Sequence, residues 1–395
     1  MNTSRIDPGA GRFDSISTPA LIIDRPVVDA NIGRMAAMAA KAKVSLRPHA
    51  KSHKCPQIAK RQVEAGAIGI CCATLAEAEA MVAAGLTGVL LTSPVVGAAK
   101  ARRLAALHRH SDMMVVVDHP KHVEQLSEVL DSRDRPLSIL VDVDVGQRRT
   151  GVASSEAAVS LARRIAASSV LHFAGVQGYA GHVQHVQDAG ERRQAAYQAA
   201  EVLGRVVSDL TSAGMAPQVV TGSGTGSSED DAATGIYSEL QVGSYALMDS
   251  EYRHLARKDG KSLPYGNALF VLASVVSANR PNQLTVDAGT KALAVNGPPP
   301  DILIGVPVGA SYRFWGDEHG IIDLPPGSKK RPAVGSRVLI GATHCDPTVN
   351  LHGMLNVVED DGTIEHWPIV GRHGTDCRIL EVCMHEGPEQ ASDDD

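Results

Sequence analysis

Residues 44–65, VSLRPHAKSHKCPQIAKRQVEA, hold the pattern from which the fold can be predicted. A short apolar run at 44–46 is followed by a polar octad at 47–54 and by helix-forming residues at 56–65. An apolar run that is too short for a helix and is bounded by polar residues indicates a buried strand. One strand followed by one helix is the repeating unit of a parallel α/β sheet.

The same alternation continues on both sides of this unit. Apolar runs that predict strands lie at 20–23, 44–46, 68–72, 89–92, 114–117, 139–143, 173–179, 219–221 and 240–242. Helical patterns lie at 26–43, 56–65, 75–84, 98–108, 122–130, 155–167 and 191–213. Most of the runs are continuous, as expected for strands that are buried on both faces. This rhythm predicts a closed (β/α)8 barrel of the TIM type, with an open doubly wound sheet as the structural alternative.

The pattern changes after about residue 251, where helical periodicity fades. Short strand-like segments at 269–276, 283–286, 337–340, 354–358 and 363–367 are separated by clusters of Gly, Pro, Asn and Asp. We therefore predict a barrel over 18–254 and a mostly-β domain over 255–385, with residues 1–17 packed on the latter. Residues 386–395 are predicted to be a disordered acidic tail.

Charge and composition exclude several classes of protein. The 395 residues carry a net charge of −6, and 44% are hydrophobic and 21% charged. This balance gives no support for nucleic acid or an anionic membrane as a partner. No stretch of about 18 apolar residues predicts a membrane span, and residues 1–17 lack the core of a signal peptide. Because six cysteines in so long a chain do not form a disulfide framework, we expect a cytoplasmic protein.

Lys51 is the first candidate for chemistry, because it lies just after the strand at 44–46, inside RPHAKSHK. Active sites of TIM-type barrels form at the carboxyl ends of the strands. Burial and cationic neighbours disfavour the ammonium form, and a neutral amine can attack a carbonyl to form a Schiff base. A basic surface loop is the alternative interpretation of the octad.

A glycine- and hydroxyl-rich loop, TGSGTGS at 221–227, follows a predicted strand late in the barrel. Backbone N–H groups and hydroxyls in such a loop can surround a phosphate, and phosphate sites are frequent at this place in barrels. A flexible solvent loop is the alternative. The next strand ends in ELQVGSY at 239–245, where Ser244 or Tyr245 could supply another hydroxyl.

Two further segments bring acid–base and cationic groups to the same end of the barrel. QGYAGHVQH at 177–185 supplies Tyr179, His182 and His185, and histidine exchanges protons near neutral pH. A helix-capping or space-filling role is the alternative, above all for His182. DVDVGQRRTG at 142–151 supplies Arg149, which could contact a cofactor oxygen or form a salt bridge with a barrel aspartate.

THCDPTVNLH at 343–352, in the predicted β domain, could bind a metal ion. His344 and Asp346 are two residues apart, so on an extended segment they project to the same side, with Cys345 facing away. Imidazole and carboxylate together suit a divalent cation, and two protein ligands leave positions open for substrate. A turn that begins with Asp-Pro is the alternative.

A lysine that can form a Schiff base, a loop that can hold a phosphate and a barrel fold together indicate pyridoxal 5′-phosphate as the cofactor. The motifs resemble those of the D-threonine aldolase family, which includes 3-hydroxy-D-aspartate aldolases and has the alanine-racemase-like fold of pyridoxal-phosphate enzymes. The resemblance runs from 18 to about 367 and rests on 47–56, 69–72, 221–227, 235–241, 243–245, 317–320 and 344–348.

The resemblance implies a role for each candidate residue. Lys51 would form the Schiff base, and His185 would be the base near a divalent metal held by His344 and Asp346. Mn2+ is the expected ion, with Mg2+, Co2+ and Zn2+ as alternatives. The cofactor would contact Arg149, Tyr179, Thr221, Gly222, Ser223, Gly224, Thr225, Gly226 and Tyr245. The substrate would be a β-hydroxy-D-amino acid, cleaved to glycine and an aldehyde, and the protein would be a homodimer.

Three departures from the family pattern, at Ser223, at Thr150 and in 177–182, bear on the substrate side chain and on the phosphate. A D-serine or 3-hydroxyaspartate dehydratase is one alternative, although that group tends to have Cys where Asp346 stands. An amino-acid racemase is another, but it has no use for His344 and Asp346. A non-enzymatic pyridoxal-phosphate carrier is the third, and the β domain argues against it.

Overall fold

The computed structural model of the chain describes residues 6–372. Its strands are β1 (Ala20–Asp24), β2 (Ser45–Leu46), β3 (Ile70–Cys72), β4 (Val89–Leu91), β5 (Met113–Val117), β6 (Leu137–Asp142), β7 (Leu171–Gly178), β8 (Val219–Gly222), β9 (Glu239–Leu240), β10 (Leu269–Arg280), β11 (Gln283–Val286), β12 (Leu303–Ile304), β13 (Ser311–Phe314), β14 (Gly320–Asp323), β15 (Arg337–Gly341), β16 (Met354–Val358) and β17 (Ile364–Pro368). Its helices are α1 (Arg25–Ala42), α2 (Pro56–Glu64), α3 (Leu75–Ala83), α4 (Ala98–His110), α5 (Pro120–Val129), α6 (Ser155–Ala166), α7 (Ala189–Ser212), α8 (Ser228–Ala233), α9 (Ser250–Arg253) and α10 (Cys345–Asn350).

Eight parallel strands form the barrel, in the order β2-β9-β8-β7-β6-β5-β4-β3. Its two ends, β2 and β3, are joined by backbone hydrogen bonds from Ile68 N–H to Leu46 O and from Cys71 N–H to Pro48 O, both 2.8 Å long. An isolated bridge between His49 and Cys71 continues this contact. The predicted (β/α)8 barrel is therefore confirmed, and the open doubly wound sheet is wrong.

The helices surround the barrel because each has one apolar face that packs on the strands. In α6, for example, Ala158, Leu161, Ala162 and Ile165 are buried. Proline in the first turn begins α1, α2 and α5, where its missing N–H is not needed. Helix α1 contacts both α8 and α2, so it occupies the position of the eighth outer helix.

The second sheet is mostly antiparallel and contains β1 with β10 to β17. We expected the run at 20–23 to be a barrel strand, and this was wrong. Strand β1 pairs with β10 antiparallel and with β16 parallel. A continuous apolar run is buried on both faces in either sheet, so the run itself could not distinguish the two.

Residues before β1 pack on this second sheet. Ile6, Phe13 and Ile16 are buried in one cluster with Phe270 of β10 and Leu339 of β15. The predicted tail at 386–395 and the end of the predicted β domain lie outside the described residues. Among the helices of residues 6–372, none is both long and apolar enough to cross a bilayer.

The two units meet at the open end of the barrel. Helix α10 follows β15 of the second sheet and contacts the short 3-10 turn Ala50–Ser52 that follows β2 of the barrel. Helix α9 follows the last barrel strand and precedes β10, where the chain passes from one unit to the other. A site at this end can therefore draw side chains from both units.

Candidate active site

Lys51 and Asp346 form an ion pair, although they are 295 residues apart in the chain. Lys51 lies in the 3-10 turn after β2, and Asp346 lies in the first turn of α10. The barrel lysine and the β-domain carboxylate, which the sequence assigned to two different cofactors, thus occupy one site.

The expectation that Lys51 is driven towards its neutral form is wrong. Burial is the largest single effect on Lys51 and would lower its pKa, but the charge and the hydrogen bond of Asp346, together with Tyr179 and Cys345, outweigh it, and the net pKa is raised. Burial is also the largest single effect on Asp346 and would raise its pKa, but the charge and the hydrogen bond of Lys51, together with His344 and Cys345, lower this pKa to about 2. Sequence reasoning failed here because the partner comes from the other unit.

The other two cations of the octad are buried and paired, so the octad is not a basic surface loop. Arg47 makes two hydrogen bonds to Glu239 at the start of β9, 2.9 and 3.0 Å long. Lys54 pairs with Glu77 of α3. Both pairs fix the backbone on either side of Lys51, since breaking a buried pair leaves an uncompensated charge.

The loop at 222–226 continues β8 and is tightly packed. A Cβ on Gly222 would lie 2.1 Å from Gly178 O, and one on Gly224 would lie 2.4 Å from Gln184 Oε1, so both positions exclude larger residues. Ser223 has a φ of +75°, which is unfavourable for a residue with a side chain. The loop is therefore a constrained cradle, and the flexible solvent loop is wrong.

Tyr245 contacts this loop through its backbone. Its N–H donates to Thr225 Oγ1 at 3.0 Å, while its fully buried hydroxyl accepts a hydrogen bond from Gln62 of α2 at 3.0 Å. The phenol oxygen thus contacts α2, while its O–H can still donate a hydrogen bond. A role in phosphate binding stays a prediction and would involve positioning Thr225.

Two buried residues that sequence reasoning missed hold the loop in place. Gln184 accepts from Gly226 N–H at 2.9 Å and donates to Ser227 Oγ at 2.8 Å. Arg192 of α7 donates to Gly226 O at 3.0 Å and to Val186 O at 2.7 Å. Because Val186 follows His185, Arg192 connects the loop to the segment that carries the predicted base.

Asp231 of α8 contacts this loop, and its ionisation makes the stability of the fold depend on pH. Ser227 Oγ donates to Asp231 Oδ2 at 2.5 Å, and burial raises the pKa of Asp231 to about 7. A carboxyl group whose pKa is raised on folding stabilises the fold fully below its unfolded pKa of about 3.9. That stabilisation is lost as the pH rises through about 7.

We therefore expect Asp231→Asn, which keeps an oxygen acceptor for Ser227, to be less sensitive to pH than the wild type. Between about pH 5 and pH 8 the melting temperature of the wild type should fall relative to D231N, by about 3 °C. Calorimetry of the cofactor-free proteins measures this difference. Asp209→Asn on the exposed side of α7 is the control for loss of one surface carboxylate, and equal pH profiles for D231N and the wild type would contradict the prediction.

Tyr179 and Arg149 lie together beside a polar network at the open end of the barrel. The Arg149 guanidinium carbon is 5.7 Å from the centre of the Tyr179 ring. Thr150 Oγ1 donates to Asp142 Oδ2 at 2.7 Å, and Gln177 Nε2 donates to Asp142 Oδ1 at 2.9 Å. Burial raises the pKa of Asp142 to about 6. Thr150, a departure from the family pattern, is thus engaged with a barrel carboxylate.

The network extends across the barrel to the phosphate loop. Gln241 Nε2 donates to Gln177 Oε1 and to Thr221 Oγ1, at 3.0 Å each. Gln177 and Gln241 were not predicted as site residues, because an isolated Gln at a strand end carries no distinctive signal. The ring of His182 lies against Gly146, which is consistent with the space-filling alternative.

His185 and His344 both face the carboxylate of Glu251. His185 Nδ1 is 3.2 Å from Glu251 Oε1, and His344 Nδ1 is 3.9 Å from Glu251 Oε2. Burial, helped by the neighbouring His344 and Lys51, lowers the pKa of His185. His185 is therefore neutral near pH 7 and can accept a proton.

The expectation that His344 and Asp346 lie on an extended segment is wrong. His344 is the residue before α10, and Asp346 lies in the first turn of that helix. No group of three His, Cys, Asp or Glu side chains within residues 6–372 is arranged to hold an ion. A metal bound by His344 and Asp346 alone, with Cys345 turned away, stays a prediction.

The residues present fit both predicted cofactors. The loop at 222–226 is a cradle of small residues beside a barrel lysine, as a phosphate-bearing aldehyde needs. Among the described residues, His185 Nδ1 and Glu251 Oε2 are buried without a hydrogen-bond partner, next to the predicted metal ligands. Unsatisfied buried polar atoms at such a place are typical of a site that binds a further group.

A barrel with a lysine at its open end, joined to a β domain that reaches the same site, defines the class of alanine-racemase-like proteins. Residues 23–251 match the family model described as "Alanine racemase, N-terminal domain", and residues 268–358 match the "Putative serine dehydratase domain".

Comparison with known proteins shows to which family within this class the chain belongs. The D-threonine aldolase of Arthrobacter sp. is 40% identical over 357 residues, which cover 90% of this chain and 93% of that protein. The 3-hydroxy-D-aspartate aldolase of Paracoccus denitrificans (strain Pd 1222) is 36% identical, with coverages of 90% and 92%. The crystal structure of D-threonine aldolase from Filomicrobium marinum has a TM-score of 0.84 and 39% identity, and covers 90% of this chain and 95% of that one. Dehydratases found in the same way are 27% identical or less. The chain belongs to the D-threonine aldolase family.

Proposed function

We propose that this protein cleaves β-hydroxy-D-amino acids to glycine and an aldehyde by a retro-aldol reaction that uses pyridoxal 5′-phosphate and a divalent metal. The aldolases that it resembles over nine-tenths of its length support the reaction. The contact between Lys51 and Asp346 is the observation that carries the proposal. An amine for covalent cofactor binding and a carboxylate for an ion lie side by side, so one small substrate can reach both.

Lys51 and the loop at 222–226 are the proposed cofactor site. When bound there, pyridoxal phosphate would supply an electron sink for the charge that remains on Cα after the Cα–Cβ bond breaks. The backbone N–H groups of the loop and the hydroxyls of Thr221 and Thr225 would hold the phosphate. Arg149 and Tyr179, stacked on each other, would lie beside the ring.

His344 and Asp346 are the proposed metal ligands, with Mn2+ as the expected ion. A divalent ion there would supply a Lewis acid that lowers the pKa of the substrate β-hydroxyl. His185 would take the proton that this hydroxyl releases, because its lowered pKa keeps it neutral. The electrons of the O–H bond then form the aldehyde carbonyl, and Cα gains a proton to give glycine.

Product analysis tests the proposal. Purified protein is supplied with pyridoxal phosphate and Mn2+ and then with D-threonine or 3-hydroxy-D-aspartate, and glycine, aldehyde and ammonia are measured together. We expect equal amounts of glycine and aldehyde without ammonia, loss of activity with a chelator and recovery with Mn2+. A keto acid with ammonia would mean a dehydratase, and racemisation that survives chelation would mean a racemase. Either result contradicts the proposal.

We also propose that the protein is a cytoplasmic homodimer. Trp315 and Val295 of the second sheet's loops are more than 60% exposed, and large apolar side chains in such positions favour burial against a partner. Val295 precedes Asn296, whose amide nitrogen is 3.0 Å from His344 Nδ1, so a partner at this surface would lie near the site. Light scattering should give twice the mass of the chain.

A further inference from the structure

We infer that Glu251 is a positioning residue that orients His185, the proposed base, and that its charge favours an ion at His344, one proposed metal ligand. The inference rests on the proposed function, and it adds a residue that the sequence motifs did not indicate. Glu251 lies on α9, His185 lies in the segment between β7 and α7, and His344 immediately precedes α10. Three separate parts of the chain therefore meet at one carboxylate.

The geometry directs the same nitrogen of each ring towards Glu251. Oε1 is 3.2 Å from His185 Nδ1 and Oε2 is 3.9 Å from His344 Nδ1. The Glu251 side chain is only 20% exposed. Because Nδ1 of His185 faces the carboxylate, Nε2 is the nitrogen of that ring left to accept a proton. Nδ1 of His344 lies closer to the amide nitrogen of Asn296, at 3.0 Å, so Glu251 acts on His344 through its charge and not through a hydrogen bond.

Helix α9 is held firmly enough for this role. The carboxylate of Asp249, which is fully buried, accepts Tyr252 N–H at 3.0 Å within α9 and Cys345 N–H at 2.8 Å at the start of α10. Ser250 N–H donates to Ala342 O at 3.0 Å. These bonds join the two helices directly, so they fix Glu251 relative to His344.

His185 is held in place by contacts with Tyr252 and by the hydrogen bond that fixes the next residue, Val186. Its ring packs on Tyr252 with 5.0 Å between the ring centres. Arg192 donates to the carbonyl of Val186, the next residue. Within the part of the chain that the structure describes, His185 Nδ1 and Glu251 Oε2 make no hydrogen bond, so the 3.2 Å approach of Glu251 to His185 is a close polar contact and no other group occupies it.

The carboxylate of Glu251 acts on the two histidines in different ways. At His185 it favours the tautomer with a proton on Nδ1, which leaves the lone pair on Nε2 to accept the substrate proton, and it then stabilises the imidazolium. At His344, whose Nδ1 faces the Asn296 amide nitrogen, its negative charge would favour a divalent cation bound nearby.

The test compares Glu251→Ala and Glu251→Gln with the wild type, each as holoenzyme with D-threonine and saturating Mn2+. Glu229→Gln, which breaks a surface ion pair with Arg257, is the matched control. In E251A we expect kcat to fall about 10- to 100-fold and the Mn2+ dissociation constant to rise about 10-fold, with KM for D-threonine within about twofold. Electron paramagnetic resonance of free Mn2+ gives the dissociation constant independently of turnover.

Glutamine separates positioning from a structural role, because its carbonyl oxygen can accept a hydrogen bond from Nδ1–H but carries no charge. We expect E251Q to recover part of the lost kcat but not the Mn2+ affinity, which depends on the charge, while E229Q matches the wild type. The cofactor absorbance should be the same in all four proteins. The inference is overturned if E251A keeps kcat within twofold, or if E251Q is no better than E251A and both lose activity in step with melting temperature.

If the proposed aldolase function is wrong, the same experiment gives a result that differs from failure of the inference about Glu251. In that case the wild type itself releases no aldehyde from D-threonine, and the Mn2+ titrations of wild type and E251A still decide whether the charge of Glu251 favours an ion at His344. An unchanged Mn2+ affinity in E251A would then overturn the inference on its own.

Discussion

Replacing Lys51 by arginine should give a folded, colourless protein without measurable aldolase activity. Arginine keeps a positive charge opposite Asp346, so the buried carboxylate stays paired and the site stays assembled. A guanidinium group does not deprotonate in proteins and cannot attack an aldehyde. We therefore expect the visible absorbance of lysine-bound pyridoxal phosphate to vanish and kcat to fall on the order of 10³-fold or more.

Two further variants complete this experiment. Lys60→Arg makes the same substitution on the exposed side of α2 and should keep colour and activity. Lys51→Ala should also be colourless, and its melting temperature should fall below that of K51R because Asp346 loses its partner. A yellow, active K51R protein would show that another amine binds the cofactor, and the assignment of Lys51 would be wrong.

The sequence was sufficient to predict the parts of the site that belong to one strand and the loop after it. Lys51 after β2, the loop after β8 and His185 after β7 were all located from the alternation of apolar runs and helical patterns. This worked because the carboxyl ends of parallel strands in a closed barrel lie at one end. Once the strands are identified from the sequence, the barrel topology alone predicts where the residues that follow them lie.

Contacts between distant segments were not predictable in this way. Asp346 reaches Lys51 across the boundary between the two units, and its charge and hydrogen bond are main causes of a Lys51 pKa that is raised and not lowered as we expected. Glu251 lies on a helix of four residues, too short to leave a periodic signal. Gln184 stands in a segment noted for its histidines, and only the structure shows that its amide holds the loop.

The first strand was assigned to the wrong sheet for a related reason. β1 has five buried residues in sequence, and such a run is compatible with a barrel strand or with the centre of the second sheet. Pairing with β10 and β16 decides between them, and both partners come more than 240 residues later in the chain. Hydrophobic periodicity indicates which residues of a strand are buried, but not which strand it pairs with.

Replacing Asp346 by asparagine should impair metal binding while leaving pyridoxal phosphate binding intact. Asparagine keeps the shape of the side chain but removes the charge, so it should weaken the binding of a divalent ion and remove most activity, with kcat lower by about 10²-fold or more. Without that charge, burial dominates at Lys51 and lowers its pKa, so the amine should react with pyridoxal phosphate at least as readily as in the wild type.

The expected D346N protein is thus yellow, binds Mn2+ weakly and does not regain turnover when Mn2+ is added after chelation. Absorbance, electron paramagnetic resonance of Mn2+ and the glycine assay measure these three properties separately. Asp323→Asn, which alters an exposed ion pair with Arg313 in β13, is the matched control and should behave as the wild type. If D346N binds Mn2+ as tightly as the wild type, Asp346 is a partner of Lys51 alone, and the ion must be held by other residues.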